Sequence, residues 1–206
     1  MDTPLSEIEI AENLCHRGFH LVDHFLLPHQ YDALSHTIHT LADENHFKLA
    51  KIGQRGSKTE NVSIRNDKIL WIDKLTTDQS ILPFLAKLDG LCQILNQTLF
   101  LGLVDYETHF AIYPPQHFYK KHVDQFANKR DRRVSCVYYL NHDWQKAYGG
   151  ELKLYDKEDT SLAIINPIGN RFVLFNSDLP HEVCTTYQTR YSIAAWLKAR
   201  PMMLVE

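Results

Sequence analysis

The sequence is poor in cysteine and has no long apolar run. Its four cysteines are far apart and form no C-x-x-C pair, which excludes a disulfide framework or a zinc ribbon and favours a reducing compartment. No apolar stretch approaches the roughly 18 residues needed to cross a bilayer. The first ten residues, MDTPLSEIEI, lack the apolar core of a signal peptide. We therefore expect a cytoplasmic protein with no membrane partner.

An excess of positive charge is also lacking. The formal net charge is −3, and the one basic run, NKRDRR at 128–133, has an aspartate inside it. Such a run is typical of a solvated loop, because a nucleic-acid interface needs a basic face interleaved with stacking aromatics. We expect no nucleic-acid partner.

The first half of the chain has helical patterns. Apolar residues recur at helical spacing over 5–16, from Pro28 onwards, and over 78–100, whereas FHLVDHF at 19–25 alternates like a strand. Between the second and third helices, residues 50–66 are polar, contain glycine and show no helical period. A segment of that length and composition is more often functional than idle.

The second half of the chain has strand patterns. Turn signals such as YPPQ, YGG, NPIGN and NSDLP divide it into short alternating runs. These runs are 105–113, 118–124, 133–140, 150–155, 162–166, 171–176, 181–186 and 190–198. About eight short strands at this spacing predict an α+β, β-rich fold: a double-stranded β-helix (jelly roll) with supporting N-terminal helices. We expect one domain over 1–206, with helical support and a mobile loop at 50–66 in 1–104 and the jelly-roll core in 105–198.

A histidine and an aspartate two positions apart stand out in YKKHVDQF at 119–126. In a strand, residues i and i+2 project from one face, so His122 and Asp124 can grip one ion. His181 opens a separate run, HEVCTT, 57 residues after Asp124. Two histidines and one carboxylate form the facial triad that binds non-haem Fe(II) and leaves adjacent coordination positions open.

An arginine follows nine residues after that distal histidine. Alternation in RYSIAAW places Arg190, Ser192 and Ala194 on one face of a strand, and the two small side chains leave a hollow beside the guanidinium. A buried arginine needs an anion, and its planar fork suits a carboxylate. The cosubstrate 2-oxoglutarate fits both ends, because it can chelate iron while its far carboxylate meets Arg190. Tyr139 shares the inward face and can add a hydroxyl donor.

These motifs together resemble the prolyl 4-hydroxylase branch of the Fe(II)/2-oxoglutarate dioxygenases, especially the oxygen-sensing prolyl hydroxylase domain enzymes and their bacterial relatives. The resemblance covers roughly residues 60–198 and rests on six blocks of sequence. The blocks are IRNDKILWID, HVD, VYYLNHDW, GGELKLY, PHEV and TRYSIAAW.

The resemblance implies an enzyme that uses Fe(II), 2-oxoglutarate and O2, with ascorbate as reductant. This enzyme hydroxylates a prolyl residue of a protein and releases succinate and CO2. A translation factor is one candidate for that protein. The resemblance implies that the metal ligands are His122, Asp124 and His181. It also implies that Arg190 and Tyr139 bind the far carboxylate of the cosubstrate and that Tyr113 lies near the metal end of the cosubstrate. It also implies that 50–66 is a mobile finger that folds over the substrate. Asp67 and Arg132 fall where such enzymes can form an ion pair that tethers the finger; the alternative is two independent surface charges. Trp196 is expected to serve packing or the substrate rim.

Other functions remain open from the residues alone. The same iron chemistry could act on a free amino acid, a siderophore-like compound or an alkylated base, the last disfavoured by the acidic balance. A zinc hydrolase could use the same three ligands but would have no use for Arg190. A non-enzymatic jelly-roll module would have no reason to retain all four residues.

Overall fold

The computed structural model describes residues 7–50, 61–125 and 129–200. Three helices and eleven strands make up most of this part of the chain. The helices are α1 (Glu7–His16), α2 (Pro28–Asp43) and α3 (Leu82–Leu99). The strands are β1 (Phe19–Asp23), β2 (Lys48–Leu49), β3 (Lys68–Trp71), β4 (Leu103–Tyr113), β5 (Tyr119–His122), β6 (Arg132–Tyr139), β7 (Leu152–Tyr155), β8 (Ser161–Ile165), β9 (Arg171–Asn176), β10 (His181–Val183) and β11 (Arg190–Ala199).

Two antiparallel sheets form the predicted double-stranded β-helix. The major sheet has seven strands in the order β1-β9-β6-β11-β4-β3-β2, and the minor sheet has four in the order β5-β10-β7-β8. Neighbours in the sheets are mostly distant in sequence, as expected when a chain is rolled rather than folded into consecutive hairpins. The predicted fold class is confirmed.

The first 104 residues contribute more than helices. The alternating run near residue 20 forms β1 and pairs with β9 in the expected antiparallel manner. β3 pairs with β4, and β2 pairs with β3, so both strands extend the major sheet. The helical prediction for this half missed β2 and β3 because these strands are short and lie beside a polar stretch. Residues 51–60 of the expected finger lie outside the described residues.

The helices cover the outer face of the major sheet. Alternation along β11 sends Ile193, Ala195 and Leu197 into the main apolar core, where Leu88 of α3 is also fully buried. α3 begins at Leu82, so Pro83 lies in its first turn, where proline costs no hydrogen bond. The opposite face of β11 is thereby free to line the space between the sheets. No helix among the described residues is long and apolar enough to cross a membrane.

Candidate active site

Three side chains converge, two from neighbouring strands of the minor sheet and one from the bend that follows β5. Nε2 of His122 lies 3.7 Å from one carboxylate oxygen of Asp124, and Nε2 of His181 lies 3.4 Å from the other. The ligand atoms of all three residues lie within 4.8 Å of one another. Direct pairing of His122 with His181 between β5 and β10 brings the two imidazoles together. The geometry thus assembles the donor set predicted from sequence.

Backbone carbonyl groups orient both imidazoles. Nδ1 of His122 lies 2.7 Å from the carbonyl oxygen of Lys120, and Nδ1 of His181 lies 3.0 Å from that of Leu179. A carbonyl only accepts, so each Nδ1 carries the proton and each Nε2 presents its lone pair to the site. Burial, followed by the neighbouring His181, lowers the pKa of His122, which keeps that imidazole neutral as a metal ligand requires.

The carboxylate is held by hydroxyl groups. Oγ of Ser135 donates to Oδ2 of Asp124 at 2.7 Å and also lies 2.9 Å from Oγ of Ser177. Burial acts to raise the pKa of Asp124, but His181, His122 and Arg132, together with the hydrogen bond from Ser135, outweigh it and lower the pKa. Asp124 therefore stays ionised despite being only 8% exposed.

The local backbone differs from the expected strand. β5 ends at His122, and Asp124 follows in a bend rather than in a strand running to residue 124. The pairing of β5 with β10 contains a β-bulge. His181 pairs with His122 and Val183 pairs with Tyr119, so an advance of two residues along β10 corresponds to three residues along β5. A bulge inserts one extra residue and reverses which side chains share a face. His122 and Asp124 nevertheless lie together, as their spacing of two positions predicts.

On the inner face of the major sheet, a row of residues lies where the cosubstrate is expected to bind. Across β4, β11 and β6 the register places Ala111, Ser192 and Tyr139 side by side. Tyr113 and Arg190 form the next pair towards one end of the strands. The side chains at 111 and 192 are small, so they leave room for the hollow that the sequence predicts beside the guanidinium.

Arg190 is 1% exposed and has no carboxylate partner among the described residues. Its Nε donates to the carbonyl oxygen of Gly150 at 3.0 Å, and its Nη1 donates to Oγ of Ser192 at 3.0 Å. An uncompensated buried guanidinium is costly, so the hollow calls for an anionic ligand.

Two tyrosine rings flank this guanidinium. Its Cζ lies 4.9 Å from the ring centre of Tyr113 and 5.0 Å from that of Tyr139. The Tyr139 hydroxyl is sealed from solvent and has no hydrogen-bond partner within the described chain. Burial raises its pKa, with Arg190 opposing, so the hydroxyl stays protonated and can donate to a carboxylate.

The expected ion pair between Asp67 and Arg132 is wrong. Asp67 is fully buried and forms a bidentate pair with Arg65, at 2.8 and 2.6 Å. Arg132 instead donates to Glu107 at 3.0 Å, and its Cζ lies 3.9 Å over the Trp196 ring. Asp67 and Arg65 are two positions apart on one chain segment, so the local pair forms without bringing two segments together.

Trp196 belongs to a group that we call the aromatic wall, formed by Trp71, His109 and Trp196. The His109 ring centre lies 5.1 Å from Trp71 and 5.2 Å from Trp196. β-Pairing aligns His109 with Ala194, one row beyond Ser192 on the side away from Arg190. The aromatic wall therefore lies at the opposite end of the hollow from the guanidinium.

Three residues contribute to the site although the sequence patterns do not identify them as part of it. Ser135 and His109 belong to none of the predicted metal-ligand or cosubstrate positions, and Gly150 lies within the GGELKLY block without a role of its own. Strand alternation indicates that Ser135 and His109 face inward, but the partners of these residues come from other strands. No local pattern could have shown that Gly150 lies against Arg190.

Comparisons with known proteins agree with the fold and with this arrangement of side chains. Residues 108–198 match the model of the 2OG-Fe(II) oxygenase superfamily. Egl nine homolog 1 of Homo sapiens is 33% identical over 186 residues, covering 87% of this chain and 43% of that protein. Prolyl hydroxylase EGLN3 of Mus musculus is 32% identical, covering 87% of this chain and 77% of that protein.

Solved structures extend the likeness to the whole fold. A Pseudomonas putida prolyl-4-hydroxylase superposes with a TM-score of 0.85 at 32% identity, covering 95% of this chain and all of that one. A Trichoplax adhaerens prolyl hydroxylase, in complex with a peptide fragment of the hypoxia inducible factor oxygen degradation domain, gives a TM-score of 0.85 at 27% identity, covering 93% of this chain and 88% of that one. The chain belongs to the 2OG-Fe(II) oxygenases and, within them, to the prolyl hydroxylases. The chain spans about half the length of Egl nine homolog 1 from Homo sapiens, Rattus norvegicus and Mus musculus.

Proposed function

We propose that this protein hydroxylates a prolyl residue of a protein substrate, using Fe(II), 2-oxoglutarate and O2. The buried guanidinium of Arg190, which has no carboxylate partner among the described residues, is the observation that carries the proposal. In the overall reaction, one oxygen atom of O2 enters a prolyl C–H bond. The other enters 2-oxoglutarate, which leaves as succinate and CO2.

The residues present fit the metal and the cosubstrate. Two imidazole nitrogens and one carboxylate are the donor set of non-haem Fe(II) oxygenases, and carbonyl hydrogen bonds to both Nδ1 atoms leave Nε2 free to bind. Bound Fe(II) would supply activation of O2 and the oxidising power needed for an unactivated C–H bond. His122, Asp124 and His181 would hold it, and a net positive site would attract the dianionic cosubstrate.

The chain's own residues bind and orient the cosubstrate. Arg190 offers its remaining N–H groups to the far carboxylate, and the Tyr139 hydroxyl donates to the same group. Tyr113 packs beside the guanidinium and encloses the hollow, which excludes water. Satisfying the orphaned Tyr139 hydroxyl adds to binding because a buried donor without an acceptor is costly.

The aromatic wall supports a prolyl substrate. Trp71 is 49% exposed and lies beside His109 and Trp196, so an apolar face is available at the end of the hollow opposite Arg190. The saturated ring of proline packs well against aromatic faces, and its tertiary amide brings no N–H group that needs burial. The prolyl hydroxylase relatives point the same way. A cytoplasmic location and a need for ascorbate also remain part of this proposal.

Succinate release and proline oxidation test the proposal separately. Purified protein with Fe(II), ascorbate and 2-oxoglutarate should release succinate, and Asp124→Ala should abolish release while Asp32→Ala, at an exposed helical position, should not. Incubation with a cell lysate followed by mass spectrometry should find a gain of one oxygen on proline in the presence of wild-type protein only. Oxygen gained on a free amino acid or another small molecule instead would replace the protein substrate with that class.

Arg190→Met tests the cosubstrate anchor. Removing the guanidinium should weaken 2-oxoglutarate binding at least about 100-fold, since a hydrogen-bonded buried charge pair is worth roughly 3 kcal/mol or more. Unchanged binding of 2-oxoglutarate by this variant would refute the assignment of Arg190.

A further inference from the structure

The imidazole of His122 is covered by a neighbouring tyrosine. The ring centres of Tyr119 and His122 are 3.5 Å apart, and the two planes are inclined by only 13°. Tyr119 is the first residue of β5, and His122 is the last. Regular alternation would place residues three apart on opposite faces of a strand. The bulge between β5 and β10 turns both rings to the same side.

An arginine from the preceding segment lies over the same tyrosine. Cζ of Arg65 is 4.3 Å from the ring centre of Tyr119. Two strong hydrogen bonds to the fully buried carboxylate of Asp67 lock the guanidinium in place. Contacts therefore run without interruption from Asp67 through Arg65 and Tyr119 to the metal-ligand imidazole. We call these four residues the stacked column.

Backbone pairing holds the stacked column in register. Residues 65 and 119 form an isolated antiparallel bridge, and the amide of Lys120 donates to the carbonyl oxygen of Ile64 at 2.9 Å. The amide of Phe118 donates to Oδ1 of Asn66 at 2.8 Å. The position of Arg65 relative to β5 is thus set by main-chain hydrogen bonds as well as by the stack.

We propose that Tyr119 is a positioning residue for the metal ligand His122, with Arg65 holding Tyr119 in place. The hydrogen bond from Nδ1 to the Lys120 carbonyl fixes one edge of the imidazole but leaves its plane free to tilt. The parallel Tyr119 ring removes that freedom, so Nε2 stays aimed at the other two ligands. His181 is held differently, with the Phe175 ring edge-on at 4.7 Å. The two histidines therefore have separate supports, and of the two only His122 contacts the Tyr119 ring directly.

This inference rests on the proposed iron site, and Mn(II) and Co(II) serve as probes for it. Tyr119→Leu removes the ring and should weaken Mn(II) binding, measured by electron paramagnetic resonance titration, about tenfold, as loss of groups that orient metal ligands typically does. Tyr119→Phe keeps the stack and should bind within about threefold of wild type. The visible bands of the Co(II)-loaded protein should shift in Tyr119→Leu and stay in place in Tyr119→Phe.

A second tyrosine provides a matched control. Tyr155 lies in the same minor sheet and has Nζ of Lys121 at 3.6 Å from its ring centre, so a cation rather than a metal ligand contacts it. Tyr155→Leu should leave Mn(II) affinity and the Co(II) bands unchanged. Melting of the metal-free proteins separates a loss of fold from a loss of orientation.

A double change supplies an independent measurement at the other end of the stacked column. Arg65→Met combined with Asp67→Asn removes the cation without leaving a buried carboxylate unpaired, and should weaken Mn(II) binding roughly threefold. The inference is overturned if wild type binds Mn(II) and both Tyr119→Leu and the double variant match it in affinity and spectrum. Failure of wild type to bind any divalent metal would instead overturn the proposed function and this inference together.

Discussion

Gly150 and Arg190 are in direct contact. The carbonyl oxygen of Gly150 accepts a hydrogen bond of 3.0 Å from Nε of Arg190, and a Cβ atom at position 150 would lie 3.1 Å from the Cδ of that arginine. The backbone at Gly150 has a φ of +69°, a region that residues with a side chain rarely adopt. Glycine therefore permits both the turn and the close approach that places the guanidinium.

Gly150→Ala should disturb the cosubstrate anchor. The added methyl group would lie 3.1 Å from both Cδ of Arg190 and Oγ1 of Thr186, so these neighbours must shift. We therefore expect the KM for 2-oxoglutarate to rise about tenfold with a smaller effect on metal affinity. Steady-state succinate release measures it. Gly102→Ala is the matched control, because Gly102 has a φ of +65° but nothing within 4 Å of an added Cβ. Equal effects of the two changes would show that backbone strain, not contact with Arg190, is responsible.

Ser135→Ala should loosen the carboxylate ligand. Loss of the 2.7 Å hydrogen bond to Asp124 leaves one carboxylate oxygen without its buried donor, so metal affinity should fall about tenfold and the free energy of unfolding by roughly 1–3 kcal/mol. Isothermal titration with Mn(II) and urea unfolding check the two parts. Ser161→Ala, at an exposed strand position, should change neither.

His109→Met should stabilise the protein at low pH. Nδ1 of His109 is sealed from solvent without a hydrogen-bond partner in the described chain, so its replacement by a flexible apolar side chain should be neutral or stabilising by about 1 kcal/mol at pH 8. Burial, followed by Arg65 and Arg132, lowers the pKa of His109 to about 3. Between pH 6.5 and that value the unfolded chain binds the proton and the folded chain does not, so wild type loses stability as the pH falls.

The advantage of His109→Met should therefore widen below pH 6.5, by at most about 1.4 kcal/mol per pH unit. Urea unfolding at a series of pH values measures the free energy of unfolding of both proteins. The contributions of all other titrating groups cancel in the difference between the two values. His36→Met, at an exposed position on α2, should show no such widening. A pH-independent difference would mean that His109 is not a buried neutral imidazole.

Double-mutant cycles should separate the observed ion pairs from the expected one. Asp67→Asn leaves the nearly buried Arg65 without its bidentate partner, which should cost about 3 kcal/mol in the free energy of unfolding. Asp67 and Arg65 should show strong coupling, whereas Asp67 and Arg132 should show almost none. Glu107→Gln should affect stability by less than about 1 kcal/mol, since the carboxylate is 39% exposed.

Much of the fold follows from local patterns. The strands after residue 102 lie within a few residues of their predicted bounds, because short alternating runs between strong turn signals leave few other structures available. β2 and β3 were missed because strands of two and four residues show no period of their own. β3 exists by pairing with β4, and β2 by pairing with β3. The predicted strand over 118–124 included Asp124, whereas β5 ends at His122, because alternation does not show where strand pairing stops.

The chemistry of the site is a property of the residues, because two imidazoles, a carboxylate and an arginine at a characteristic spacing can be read along the chain. Which groups touch depends on how the chain is folded. The fold joined Asp67 to Arg65 rather than Arg132, set Gly150 against Arg190, and laid Tyr119 on His122 through a bulge. Local patterns record the faces of single elements, whereas such contacts depend on the register between elements distant in sequence.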